Sequence, residues 1–119
     1  MQIKLPFPPS LNHYYRQWGG RTLISRAGLA YRRRIAAEVF AHNGALMQPM
    51  AGPLAVTLEL FPPDRKRRDV DNYCKCLLDA LAKAGVYQDD SQIVELHIFK
   101  REVVGGGKIV VNIATPVEP

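Results

Sequence analysis

The residues best suited to chemistry lie in one stretch, Asp64-Arg65-Lys66-Arg67-Arg68-Asp69-Val70-Asp71-Asn72-Tyr73-Cys74-Lys75. A basic loop here runs directly into two aspartates where a helical pattern begins. An aspartate at a helix start has a structural use, because its oxygens accept from free N–H groups and offset the dipole. That accounts well for one aspartate and less well for two, Asp69 and Asp71. A helical ion pair between Asp71 and Lys75, worth about 0.3–0.5 kcal/mol, is a second structural reading. A further acidic pair, Asp89-Asp90, follows the helix and taken alone is a turn signal. If these two pairs of carboxylates converge, three or four negative charges close together repel strongly unless a cation neutralises them. Mg²⁺ suits such a set, since it takes carboxylate oxygens and keeps waters that a substrate phosphate can replace. Phosphodiester cleavage needs an activated water, a stabilised pentacovalent charge and help for the departing 3′ oxygen, all within reach of one or two metal ions. Lys75, one turn along the helix, is placed to stabilise that charge or to orient the water.

Other chemistries fit worse. Gly105-Gly106-Gly107 lacks the Lys-Ser/Thr pair of a phosphate-binding loop. Ser10, Ser25 and Ser91 lack the context of a nucleophile elbow. His13, His42 and His97 show no metal-ligand spacing, and His97 is expected to face solvent from a strand. Cys74 and Cys76 point to different helix faces, which disfavours a shared zinc, and Cys74 is expected in the core.

The elements that must position these residues follow from periodicity. Alternation at period 2 predicts strands near Gln2–Phe7, Leu54–Phe61, Gln92–Lys100 and Lys108–Ala114. In the third, Val94, Leu96 and Ile98 alternate with Glu95 and His97. The last follows the Gly105–Gly107 run, which suits a tight hairpin turn. The 3.6-residue period predicts a helix over Arg26–Asn43, with Ser25 as N-cap, Gly44 as stop, and an apolar stripe of Tyr31, Ile35, Val39 and Phe40. A second helix starts near Asp69 and ends before Gly85, burying Val70, Tyr73, Leu77, Leu78 and Leu81. The expected fold is α+β: a single two-layer domain over residues 1–119, in which two main helices cover a small mixed sheet in the order strand-helix-strand-helix-strand-strand.

Composition agrees with one domain of 119 residues, 47% of them apolar. No run of about 18 apolar residues appears, and Pro6, Pro8 and Pro9 interrupt the early apolar stretch, so neither a membrane span nor a signal peptide is expected. Two cysteines, two residues apart, form no disulfide framework and agree with a reducing, cytoplasmic setting. The net charge of +5 is unevenly placed. Residues 1–37 hold seven Lys or Arg and no acidic residue, and the second cluster is the loop Arg65-Lys66-Arg67-Arg68. Such clusters attract a polyanion and release its counterions. These four, with Arg16 and Arg21, are the candidate DNA contacts. In the unusual segment Pro8–Arg16, Tyr14 and Tyr15 either pack down or stack on bases.

The ordered set of motifs resembles the RusA family of Holliday junction resolvases of bacteria and their prophages, over nearly the whole chain. The opening Leu5-Pro6-Phe7-Pro8-Pro9-Ser10, Asn12, Tyr14-Tyr15-Arg16, Gly20-Arg21-Thr22, Ser25, Gly28 and Ala30-Tyr31-Arg32 is similar to that family's first half. Arg67-Arg68-Asp69-Val70-Asp71-Asn72, Lys75, Asp79-Ala80-Leu81, Lys83-Ala84-Gly85 and Asp89-Asp90 resemble its catalytic half. The resemblance implies a homodimer that binds a four-way DNA junction and makes paired nicks with Mg²⁺ or Mn²⁺ in recombination and repair. It implies metal-binding aspartates at Asp69, Asp71 and Asp90, an essential lysine at Lys75 and a DNA-contacting loop that includes Arg68. Asp89 matches a neighbouring acidic position. Cys74, Cys76 and Gln88 depart from the family pattern without removing a candidate ligand. The competing reading is a non-catalytic nucleic-acid-binding module whose aspartates only cap a helix.

Overall fold

The computed structural model describes residues 1–43 and 48–116. In chain order the elements are β1 (Gln2–Leu5), α1 (Leu11–Tyr14), β2 (Tyr15–Trp18), β3 (Arg21–Ile24), α2 (Arg26–Asn43), β4 (Leu54–Phe61), α3 (Asp71–Lys83), a 3-10 turn (Asp90–Gln92), β5 (Ile93–Lys100) and β6 (Lys108–Ala114). The mixed α+β character and the order of the six main elements match the expectation, and α2, β4 and β6 fall on the expected boundaries. β1 stops two residues early because Pro6 has no N–H to give the ladder.

One four-stranded sheet runs in the order β1-β6-β4-β5. β6 is antiparallel to β1 and to β4, whereas β4 and β5 are parallel. A parallel neighbour requires a crossover, and α3 is that crossover. Cross-strand register puts Leu5, Ile109 and Leu60 in one row, Ile3, Val111 and Leu58 in the next. All six are buried with Val56, Ile113 and the inward faces of α2 and α3 (Tyr31, Ile35, Val39, Leu77, Leu81) in one cluster. Each such side chain contributes on the order of 1.5–3 kcal/mol by leaving water.

Several expectations need correction. The glycine run does not close a β5–β6 hairpin. Gly106 and Gly107 take positive φ (81° and 69°) in a turn that delivers the chain to β6, two strands away from β5. Phe40 is 58% exposed, because it lies one residue and so about 100° round from Val39 on the helix. Leu96 pairs with Val56 yet remains exposed, as does Val94 at a register irregularity, since β5 is the sheet's edge and only its Ile93 and Ile98 pack against the core. His97 is exposed, as expected. Ser25 caps α2, its Oγ accepting from the Gly28 N–H at 2.9 Å. Gly44 lies outside the described residues. Both cysteines are free and buried.

The periodic reading missed the β2–β3 hairpin, a separate two-stranded sheet. Only its root pair, Tyr15 and Ile24, packs against the core, too little to show as alternation, although Gly19-Gly20 between two short runs is a recognised turn signal.

Candidate active site

α3 buries Cys74, Cys76, Leu77, Leu78, Ala80 and Leu81. That leaves Asp71, Lys75 and Asp79, spaced four apart, as a polar stripe on one side of the helix. Asp71 and Lys75 are exposed. Asp69 is also exposed and precedes the helix rather than starting it. The position before the first turn is Val70, and no side chain caps this helix by a hydrogen bond. Among the described residues the ion pairs are Arg32–Asp79, Arg68–Asp64 and Arg101–Glu59, so Asp71 and Lys75 form none with each other.

The basic loop is ordered from within. Asp64 accepts from Arg68 Nη1 at 2.6 Å and from the Lys66 N–H at 2.9 Å. The Arg68 guanidinium holds the Asp64 carboxyl down to about 2. Arg68 also lies over the Phe7 ring at 5.7 Å, and its side chain is only 13% exposed. Arg65, Lys66 and Arg67 are left pointing into solvent. A groove of about 640 Å³ runs beside the loop, where Arg34, Lys66 and Arg67 meet the rings of Phe7, Tyr31 and Tyr73. Sequence reasoning did not single out Arg34 for this groove. Its membership in the Arg32–Arg34 run was the available signal.

A second groove, of about 650 Å³, separates α3 from the β2–β3 hairpin and is lined by Tyr15, Arg16, Gln17, Thr22 and Lys75, with Leu11 and Asn12. Lys75 and Arg16, far apart in sequence, thus share one opening.

Asp79, the third member of the stripe, is committed elsewhere. Arg32 donates to it through Nη2 at 2.8 Å and Nε at 3.1 Å, and the Tyr14 hydroxyl donates to the same oxygen. Arg32 Nε also reaches the Tyr14 oxygen at 2.8 Å. Burial, then the bond to Asp79, raises the Tyr14 hydroxyl far above its usual range. This network ties α1, α2 and α3 together, and sequence reasoning gave it no role.

Asp90 sits beyond the far end of α3. It lines a cavity of about 420 Å³ with Asp79, Lys83, Gln88 and Asp89. Asp79, the acidic α3 residue that shares this cavity, lies about two turns and so about 12 Å along the helix from Asp71, and neither Asp69 nor Asp71 lines it. Among the described residues no three His, Cys, Asp or Glu side chains come together in a group able to hold a metal. Asp89 serves the fold by capping the 3-10 turn. Its carboxylate accepts from the Ser91 N–H at 2.9 Å, while Gln92 accepts from the Asp89 N–H at 3.1 Å. Its hydrogen bonds, the backbone one from Ser91 first, lower its carboxyl pKa.

A two-layer α+β domain whose exposed carboxylates open between cationic loops belongs to the class of proteins built to meet a polyanion. Comparison with known proteins narrows the class. The family model described as endodeoxyribonuclease RusA matches residues 6–114. The crossover junction endodeoxyribonuclease RusA of Escherichia coli (strain K12) is 43% identical over 111 residues, covering 93% of this chain and 91% of the relative. The proteins of the same name from Shigella sonnei (strain Ss046) and Enterobacteria phage 82 are also 43% identical, with the same coverage. The chain belongs to the RusA endodeoxyribonuclease family.

Proposed function

We propose that this chain is a structure-selective DNA endonuclease that resolves four-way junctions by paired nicks in recombination and repair. The observation that carries the reading is the pair Asp69 and Asp71, exposed, uncapped and without a cationic partner among the described residues, at the point where a basic loop enters α3. Two exposed carboxylates so close in sequence, with no ion pair among the described residues, weigh against the non-catalytic module, and so does the shared name of the relatives. Their hard oxygens fit Mg²⁺, with Mn²⁺ able to substitute, because that ion is held by one or two carboxylates and completes its shell with water and phosphate. Once bound there, it supplies Lewis acidity and a more acidic water. Lys75 faces the same opening as Arg16 and stabilises charge on the scissile phosphate. Arg65, Lys66, Arg67 and Arg21 hold flanking phosphates.

Asp90 joins this set through a homodimer. α3 keeps it from Asp71 of its own chain, whereas a second copy running antiparallel brings the two helix ends together. The β5 edge is self-complementary in such a pairing. With Leu96 opposite Leu96 of the second copy, Val94 faces Ile98 on one side of the sheet and Glu95 faces His97 on the other, so apolar and opposite-charge pairs recur about the two-fold axis. Two copies also suit paired nicks, one per strand.

The test is a substrate panel of a synthetic four-way junction, a flap, a single strand and a linear duplex, each with Mg²⁺ and with EDTA. Symmetric, metal-dependent nicks confined to the junction are expected. Metal-independent binding with no cut on any substrate would support the binding module instead, and preferential cutting of flaps or single strands would replace the junction as substrate.

A further inference from the structure

The β2–β3 hairpin carries a feature that neither the core nor the carboxylate site accounts for. Gly19 and Gly20, at φ 53° and 76°, form the tight turn that only glycine adopts freely in succession. Beside it stands Trp18, 67% exposed and outside the buried cluster. Trp18 pairs across the hairpin with Arg21, so the two share a face, and Arg16, two residues back, lies with its guanidinium 6.0 Å from the Trp18 ring. The hairpin has no acidic residue. Its base lines the groove that ends at Lys75, and Tyr14, immediately before it, is locked to α2 and α3 through Arg32 and Asp79. The hairpin is therefore a cationic arm, fixed at its root to the catalytic helix, with a large flat ring at its free tip.

We propose that this arm reads the branch in the DNA: Arg16 and Arg21 bind backbone phosphates while the Trp18 ring stacks on a base exposed at the junction centre. In the interior of a linear duplex every base face is covered by its neighbour, so only the ends, which the junction's arms share, offer such a ring a surface. A branch point interrupts stacking and exposes base faces, for which an aromatic ring flanked by arginines is the matching surface. This rests on the four-way junction being the substrate.

Trp18 is the only tryptophan, so its emission reports this one position. The experiment titrates the wild-type protein with a four-way junction, and separately with a linear duplex of the same arms, in EDTA to prevent cutting. Quenching of Trp18 by the junction, absent with the duplex, is expected. Trp18→Ala should weaken junction binding about tenfold and leave duplex binding within about twofold, with Trp18→Phe recovering most of the loss. Trp18 emission unchanged at saturating junction, equal quenching by the duplex, or an emission change that follows protein concentration without DNA would each overturn the proposal. The last would assign the ring to self-association. Failure to bind the junction at all would overturn the proposed substrate as well, whereas normal junction cutting with a silent Trp18 would overturn the role of the arm alone.

Discussion

Asp71 and Asp79 sit two turns apart on the same stripe of α3, in surroundings that differ in kind. Asp79 is three-quarters buried, and its carboxylate is met by Arg32 and Tyr14. Asp71 is exposed and met by nothing among the described residues, and Lys75 between them opens onto a groove rather than onto either carboxylate. One helix therefore carries a carboxylate used up in holding the fold and another with no ion-pair partner among the described residues.

The largest expected effect tests the free end. Asp71→Asn removes one charge and one donor oxygen and should lower junction cutting by more than about a hundredfold, or about 2.7 kcal/mol in barrier, with binding unchanged. Cutting within about tenfold of wild type would put Asp71 outside the metal site. The closed end should behave in the opposite way. Asp79→Ala strands the donors of Arg32 and Tyr14 and should cost about 1–3 kcal/mol in denaturant unfolding, while cutting at a temperature where the fold holds changes little.

The same contrast divides the basic loop. Arg67→Ala should weaken DNA binding and reduce the slope of log affinity against log salt by about 0.9, the value for one phosphate contact. Arg68→Ala should instead loosen the loop, read as faster tryptic nicking between residues 64 and 68, because its guanidinium is engaged by Asp64. Equal salt slopes for both variants would erase the distinction.

The smallest effect concerns the buried face of α3. Burial pushes the Cys74 and Cys76 thiols up to about 11 from an ordinary value of 9. Because the folded values are raised, their contribution to stability is complete below pH 9 and declines as pH rises from 9 to about 11. Unfolding across that window should show the decline, and both thiols should resist alkylation at about pH 8, where thiolate is scarce, until the chain unfolds.

What the sequence disclosed and what it concealed follows from the range of each signal. β4 and β6 alternate strictly and lie central in the sheet, so local pattern and burial coincide. β5 has the same alternation, but its exposure is decided by being an edge, which no local pattern records. The β2–β3 hairpin packs its root pair, Tyr15 and Ile24, against the core and leaves the rest outward, too short an apolar run for periodicity to register. At the Asp69–Asp71 end the basic loop and both carboxylates are contiguous, so the sequence alone puts them side by side. The Tyr14–Arg32–Asp79 network was not legible, since its members lie up to 65 residues apart. The distance between Asp71 and Asp90 depends on how α3 lies, and only the fold reveals it.

The most direct test of a shared site mixes two silent variants. Asp71→Asn and Asp90→Asn chains are purified separately, then combined under conditions that allow exchange and assayed on a four-way junction with Mg²⁺. If each site takes Asp71 from one chain and Asp90 from the other, the mixture recovers about a quarter of the wild-type sites, the share that random pairing in a two-fold dimer restores. A mixture as silent as its components would contradict a site built from two copies.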